Sequence, residues 1–106
     1  MQDLILYMKS DKANYNAVGI YNDGKIIVQK GSIIRKNNTS KKYKRSPTIE
    51  KLRNDPTLIN NSMQVLRNIE FDSVSMAAQF VADTSRNGLL YWRNKSNKKL
   101  KEIIGG

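Results

Sequence analysis

Few residues of this chain could carry out catalytic chemistry. Neither histidine nor cysteine occurs among its 106 residues, so the commonest general base and the strongest nucleophile are both missing. Glu70 and Asp72 could hold Mg²⁺ if a third carboxylate joined them, because hard cations prefer oxygen ligands. Asp72 directly precedes Ser73, a candidate helix N-cap, where a carboxylate interacts favourably with the helix dipole. We therefore expect no enzyme activity, no metal and no cofactor, with a metal-dependent nuclease as the catalytic alternative.

One tripeptide, Gly19-Ile20-Tyr21, matches the first half of the GIY-YIG nuclease signature. The second half, Tyr-Ile-Gly, does not follow a short strand later. A lone tripeptide is too short to specify a site. We interpret it as part of a β-strand.

The side chains best suited to binding are cationic, and they fall into two separated blocks. The chain has 19 Lys and Arg against 9 Asp and Glu, a net charge of +10. Residues 35–53 carry eight bases and one acid, and residues 86–106 carry six bases and one acid, whereas residues 54–85 carry one base and four acids. Segregation of this kind is typical of a surface that faces a polyanion.

The first basic patch is expected to be an exposed loop over residues 35–46. Such a loop can follow a phosphate backbone and release condensed counterions, and a tyrosine within it could stack on a base. The alternative is a solvated loop that only improves solubility. The candidate binding residues are Arg35, Lys36, Lys41, Lys42, Tyr43, Lys44 and Arg45.

The second basic patch surrounds Asn87-Gly88 and Trp92. We expect Trp92 in the core, closing over Ala77 and Phe80, so that nearby cations are held rigidly. Asn87 could be a turn former or a hydrogen-bond donor to a base edge or phosphate. Residues 95–106 are compatible with a flexible basic tail. The candidate residues here are Arg86, Asn87, Arg93, Lys95, Lys98 and Lys99.

Three short β-strands and two helices must position these patches. Residues 4–8, 14–21 and 25–30 are apolar or alternating, and Asn22-Asp23-Gly24 is a strong hairpin signal because Asn and Gly accept positive φ. Ser46-Pro47 begins one helix and Ser73 a second, which Arg86-Asn87-Gly88 should end with a positive-φ turn. Residues 63–71 indicate an irregular strand or extended link. The predicted fold is α+β, a small antiparallel β-meander packed with two helices, in one domain spanning residues 1–106.

A known family shows a similar pattern of residues over about residues 14–102. The matching segments are Ala17-x-Gly19, Val28-x-x-Gly31-Ser32, Phe71 to Val81, Ser85-Arg86-Asn87-Gly88, Trp92 and Leu100. Together they resemble the uncharacterised domain found at the C-terminus of GIY-YIG nuclease-like and restriction-modification-associated proteins, which is similar in layout to the restriction adenine methylase-associated domain. Val74 departs from the proline usual in that family. The resemblance implies a compact α+β domain that contacts DNA or substrate beside nucleases and methylases, without established catalysis.

Composition also limits the setting in which the chain works. No apolar run approaches the ~20 residues of a membrane span, and the first residues lack the pattern of a signal peptide. Without cysteine there is no disulfide framework. We expect a cytoplasmic protein that makes no membrane contact.

These features predict a non-catalytic domain that binds nucleic acid, DNA in preference to RNA, through its two basic patches. The alternative is a small phage or mobile-element protein that binds and modulates a host defence protein. Its positive face would then meet an acidic or nucleic-acid-binding protein, since electrostatic complementarity between proteins produces the same charge profile.

Overall fold

A computed structural model describes residues 3–37 and 42–105. Its centre is one antiparallel sheet with the strand order β1-β2-β3-β4. The strands are β1 Leu4–Ser10, β2 Tyr15–Asn22, β3 Lys25–Val28 and β4 Ile69–Phe71. The helices are α1 Pro47–Arg53, α2 Val74–Ala82, α3 Gly88–Tyr91 and α4 Leu100–Gly105. The α+β class is confirmed, with one strand and two short helices beyond the predicted set.

The hairpin between β2 and β3 forms where the sequence predicts it. Asn22 pairs with Lys25, and the two residues between them have positive φ, 50° at Asp23 and 84° at Gly24. Two successive positive φ values match the right-handed twist of the flanking strands. The turn therefore fixes the register of β2 against β3.

Beyond β3 the chain continues along β2 after a bulge at Gly31, whose φ is 94°. Ile33 then exchanges two backbone hydrogen bonds with Asn16, of 2.8 and 2.9 Å, and pairs on its other side with Gln64. This extension leads directly into the first basic patch. It positions Arg35 beside the end of α2, where the Arg35 amide donates to the Val81 carbonyl.

Helix α2 packs on one face of the sheet and closes the core. Its N-cap is Ser73, whose hydroxyl accepts a hydrogen bond from the Met76 amide, as the sequence predicts. Trp92 is fully buried in the same core as Ala77 and Phe80, and its indole N–H donates to the Val74 carbonyl at 3.0 Å. The predicted core position of Trp92 is confirmed.

The opposite face of the sheet is open, and its side chains alternate with the buried ones. In β1, Leu6 and Met8 point into the core, whereas Ile5, Tyr7 and Lys9 are exposed on the other side. Within the described residues no helix is long and apolar enough to cross a bilayer.

The predicted end of α2 at Arg86-Asn87-Gly88 is wrong. The helix ends at Ala82, and Asp83 takes the left-handed conformation with φ of 51°. Asn87 has a φ of −88° and serves instead as the N-cap of α3. Gly88 is needed for space rather than for φ, because a Cβ there would overlap the Val74 carbonyl group and lie 2.6 Å from the Ser75 nitrogen.

The flexible tail suggested for residues 95–106 is corrected for the described part, residues 95–105. Residues 94–98 form a tight turn, Lys99 bridges to Arg93, and α4 follows. Leu100 is completely buried in the core. An apolar side chain in this tail therefore ties it to the domain.

Candidate nucleic-acid interface

The C-terminus of α2 is the point where the first basic patch meets the domain. A helix leaves its last carbonyl groups without partners inside the helix, and cations are favoured near them. The Arg53 guanidinium donates to the Phe80 carbonyl, and Arg35 donates through its amide to Val81 and through its side chain to Ala82. Arginines thus satisfy three successive carbonyl groups of the helix end.

Asp83, the residue that ends α2, is a buried carboxylate held between two arginines. Its Oδ1 lies 2.7 Å from Arg45 Nε, and its Oδ2 accepts from Arg45 Nη2 at 2.9 Å, a bidentate pair. Arg53 Nε lies 3.8 Å from the same Oδ1. Arg45 also contacts Glu50 at 2.9 Å. The carboxylates therefore hold the Arg45 guanidinium against the body of the domain.

Burial and charge shift the pKa values of this cluster in opposite directions. The hydrogen bond to Asp83 raises the pKa of Arg45, whereas burial lowers the pKa of Arg53 to about 10, against the attraction of Asp83. Burial, followed by the Asp83 charge, raises the pKa of Tyr43. Both arginines therefore stay charged and Tyr43 stays neutral at pH 7.

The expectation that residues 35–46 form a fully exposed loop is corrected for three of them. Arg35, Tyr43 and Arg45 are half-buried: Arg35 and Arg45 bond to the end of α2, and burial, followed by the charge of nearby Asp83, raises the pKa of Tyr43. The Tyr43 hydroxyl is buried and forms no hydrogen bond within the described residues. Lys36, Lys42 and Lys44 are exposed, as predicted. Lys41 lies outside the described residues.

The second basic patch begins three residues after Asp83. The Arg86 guanidinium lies over the Tyr91 ring, 4.8 Å from its centroid, a cation–π arrangement. The Asn87 side chain accepts from the Leu89 amide at 3.0 Å and so caps α3. Asn87 is thus a helix N-cap rather than part of a positive-φ turn, and its role as a donor to a base edge or phosphate stays a prediction.

Arg93 extends the sheet beside β1. It exchanges backbone hydrogen bonds of 2.7 and 2.9 Å with Tyr7, and its side chain donates to Asn97 at 3.3 Å. Lys95 and Lys98 are exposed on the turn that follows, and Lys99 is half-buried. The turn holds these cations close to Arg93.

A cleft of about 450 Å³ opens beside β1, between the strand and this second patch. Three tyrosines and three cationic residues line the cleft. Among the residues that the structure describes, no aspartate or glutamate lines it. Tyr7 and Tyr91 are 38% and 39% exposed. The cationic and exposed aromatic side chains that line the cleft are Tyr7, Lys9, Arg86, Tyr91 and Arg93.

A comparison with protein-family models finds a match that covers nearly the whole chain. The model of a family described as "Domain of unknown function (DUF4357)" matches residues 6–104. The chain belongs to the DUF4357 family. No curated protein and no solved structure matches it.

In this DUF4357 domain the two basic patches converge on residues 81–86. The first is tied to Val81, Ala82 and Asp83, and the second begins at Arg86. Three residues span at most about 11 Å, so the two attachment points are neighbours. The patches predicted from separate parts of the sequence thus adjoin one another.

Three acidic side chains lie at the other end of the sheet, whereas Asp11 follows Ser10 at the basic end and its Oδ1 lies 4.0 Å from Lys9 Nζ. Asp3, Asp23 and Glu70 line a second cleft beside the turn between β2 and β3. Leu4 pairs with Tyr21 at this end, whereas Ser10 pairs with Tyr15 at the basic end, so the clefts lie at opposite ends of β1 and β2. In the described chain no group of three acidic residues is placed to hold a metal ion.

Sequence reasoning missed Tyr7, Lys9 and Tyr91, which share the cleft with Arg86 and Arg93. Lys9 follows Tyr7 at the two-residue spacing of one strand face, so the strand pattern could have placed both on the open face. It could not have shown that Arg93 would pair with Tyr7, because that contact joins residues 86 positions apart. The cleft is a product of tertiary structure.

Proposed function

We propose that this domain binds nucleic acid and catalyses no reaction. The observation that carries the proposal is the convergence of both basic patches on residues 81–86, with three acidic side chains gathered at the far end of the sheet. Asp11, Glu50 and Asp83 lie near the basic patches, but each is paired with a Lys or Arg, which reduces the charge that would oppose a polyanion. A net charge of +10 adds a long-range attraction toward phosphate.

The cations divide into those that stabilise the fold and those that can bind. Arg45 and Arg53 pair with Asp83, and Arg35 bonds to the end of α2. These arginines therefore stabilise the structure that supports the interface. We assign the phosphate contacts to the other cations of the two patches that are exposed or half-exposed. These are Lys36, Lys42, Lys44, Arg86, Arg93, Lys95, Lys98 and Lys99, with Lys41 added from the sequence.

The target is DNA rather than RNA, and the domain works in the cytoplasm beside DNA-processing proteins. This part of the proposal rests on the resemblance to domains that accompany GIY-YIG nucleases and restriction-modification proteins. Lysines on turns contact phosphate without reading base edges, so binding should depend weakly on sequence. Its affinity should fall steeply with salt, because each phosphate contact releases counterions.

The test is a fluorescence-anisotropy titration of labelled DNA and RNA at 50 and 200 mM salt. The test variant changes Lys44, Lys95 and Lys98 to Ala. The control variant changes Lys25, Lys30 and Arg67, which are exposed and lie beside β3 and β4, far from the edge formed by β1. Both variants remove three positive charges, so a difference between their affinities for DNA cannot come from net charge alone.

We expect the test variant to bind DNA weakly, with a salt slope smaller by up to roughly 3, while the control keeps the parent slope. Equal losses in both variants would show attraction to net charge without an interface. If the parent binds neither DNA nor RNA at 50 mM salt, the proposal is wrong, and an acidic protein partner becomes the next candidate.

A further inference from the structure

We propose that the cleft beside β1 receives one unpaired nucleotide of a DNA strand, with its base against a tyrosine and its phosphate against the surrounding cations. The inference rests on the proposed function and deepens it, because it names the form of nucleic acid that the site accepts. Its basis is the juxtaposition of Tyr7, Tyr91, Lys9, Arg86 and Arg93 around one opening.

Two tyrosines offer surfaces on which a base can stack: the Tyr7 ring, and the face of the Tyr91 ring that Arg86 does not cover. Both line the cleft, and more than a third of each side chain is exposed although neither lies in a disordered segment: Tyr7 belongs to β1 and Tyr91 to α3. Aromatic side chains held on regular elements lose little freedom on binding. Stacking on such rings is how proteins hold single strands without reading their sequence.

Arg86 provides both a positive charge beside an aromatic ring and hydrogen-bond donors, and a nucleotide can use both. The Arg86 guanidinium carbon lies 4.8 Å from the Tyr91 centroid, so a cation and an aromatic ring meet at the cleft. Its Nε is buried and makes no hydrogen bond within the described residues. Nη1 already donates to the Ser85 carbonyl at 3.0 Å, so a phosphate or base oxygen in the cleft would accept from the remaining N–H groups of the guanidinium.

The cleft is open because β1 pairs with the second patch at only one described residue pair, Tyr7 with Arg93. Arg93 bonds to Tyr7, after which the chain turns through residues 94–98 and pairs Lys99 with Arg93. Residues Met8 to Ser10 of β1 therefore border the opening. Its volume of about 450 Å³ lies within the range of roughly 300–1,000 Å³ found for small-ligand sites.

A paired base cannot use this site. Both faces of a base in a duplex are covered by its neighbours, and extruding it costs a few kcal/mol. A single strand presents its bases without that cost. The geometry therefore favours a single strand, or a flipped or mismatched nucleotide, over intact duplex.

The test compares single-stranded and duplex DNA of the same sequence in the parent, Tyr7→Ala and Tyr91→Ala proteins. Tyr7→Phe and Tyr91→Phe serve as matched controls, because they keep the ring and remove only the hydroxyl. All four substitutions leave the charge unchanged. Thermal unfolding of each variant checks that the fold survives, and an oligonucleotide with 2-aminopurine reports stacking directly through fluorescence quenching.

We expect the alanine variants to lose roughly 5- to 150-fold in affinity for the single strand, the range for one stacked base, with little change for duplex. The phenylalanine variants should bind like the parent and quench 2-aminopurine. Folded alanine variants that bind the single strand as tightly as the parent would overturn the inference. A parent that binds both forms equally would also overturn it while leaving the proposed function intact, whereas a parent that binds neither form refutes the proposed function itself.

Discussion

The carboxylate of Asp83 bridges two arginines from different parts of the chain: its Oδ1 lies 2.7 Å from Arg45 Nε and 3.8 Å from Arg53 Nε. Asp83 and the Arg53 side chain are each only 1% exposed. One buried and one half-buried arginine thus share this anion, and Arg45 has Glu50 as a second partner. This cluster joins the first basic patch, α1 and α2.

Replacing Asp83 by Asn should destabilise the domain strongly. Asn has nearly the same side-chain shape as Asp and tolerates positive φ. The substitution therefore removes only the negative charge that Asp83 presents to Arg45 and Arg53. Breaking a buried ion pair in this way costs about 3–5 kcal/mol. Urea unfolding followed by the fluorescence of Trp92, the single tryptophan, measures the change. Asp72→Asn, at an exposed aspartate, should change stability by less than about 0.5 kcal/mol; equal effects would contradict the cluster's importance.

Stability should fall in acid, partly through Glu50. Hydrogen bonds from Arg45 and then Asn54 lower the pKa of Glu50 from its ordinary 4.5. Because the folded pKa is the lower one, this contribution is present above pH 4.5 and is lost as the pH falls through the folded value. Urea midpoints at pH 6 and pH 3 should therefore differ less in Glu50→Gln than in the parent. Glu102→Gln, an exposed glutamate of α4, serves as the control and should retain the parent's difference.

Gly88→Ala should be destabilising by about 1–3 kcal/mol, since overpacking forces the start of α3 away from α2. The added Cβ meets backbone atoms of Val74 and Ser75, which cannot rotate aside as a side chain can. Gly105→Ala is the matched control, because a Cβ there has no neighbour within 4 Å. A melting temperature unchanged by Gly88→Ala would show that the two helix starts are loosely packed.

Leu100→Ala should cost about 2–5 kcal/mol, the usual range for a buried leucine. Leu100 is completely buried, although it lies in the basic C-terminal segment. Ile104→Ala, at a side chain 49% exposed on the same helix, provides the comparison and should be nearly neutral. If Leu100→Ala were equally neutral, the C-terminal segment would not contribute to folding.

Local signals predicted much of the fold. Ser46 and Ser73 cap their helices, and Asn22-Asp23-Gly24 forms the hairpin turn, because each acts through bonds within a few residues. Local signals of this kind did not predict the residue at which α2 ends. Glycine usually terminates helices, yet Asp83 does so here, supported by arginines 30 and 38 positions away. Gly88 looked like a terminator because its other role, close packing against Val74, is a tertiary contact.

The candidate site was predictable in its charge and not in its shape. Charge counts located both patches, since they depend on composition alone. They could not separate Lys44, which is exposed, from Arg45, which is bound to Asp83. Nor could they bring Tyr7 to Arg93, because that pairing requires the folded sheet.

The first basic patch is anchored at Arg35 and at Arg45, and both anchors contact consecutive residues at the end of α2, Val81 to Asp83. The free energy of closing a loop grows only with the logarithm of its length, about 0.6 kcal/mol for each doubling. Insertions between these two anchors should therefore be tolerated with little loss of stability. The length and charge of this segment can therefore differ among related chains while the sheet and α2 stay the same. A change in the proposed binding target would arise most easily in this segment.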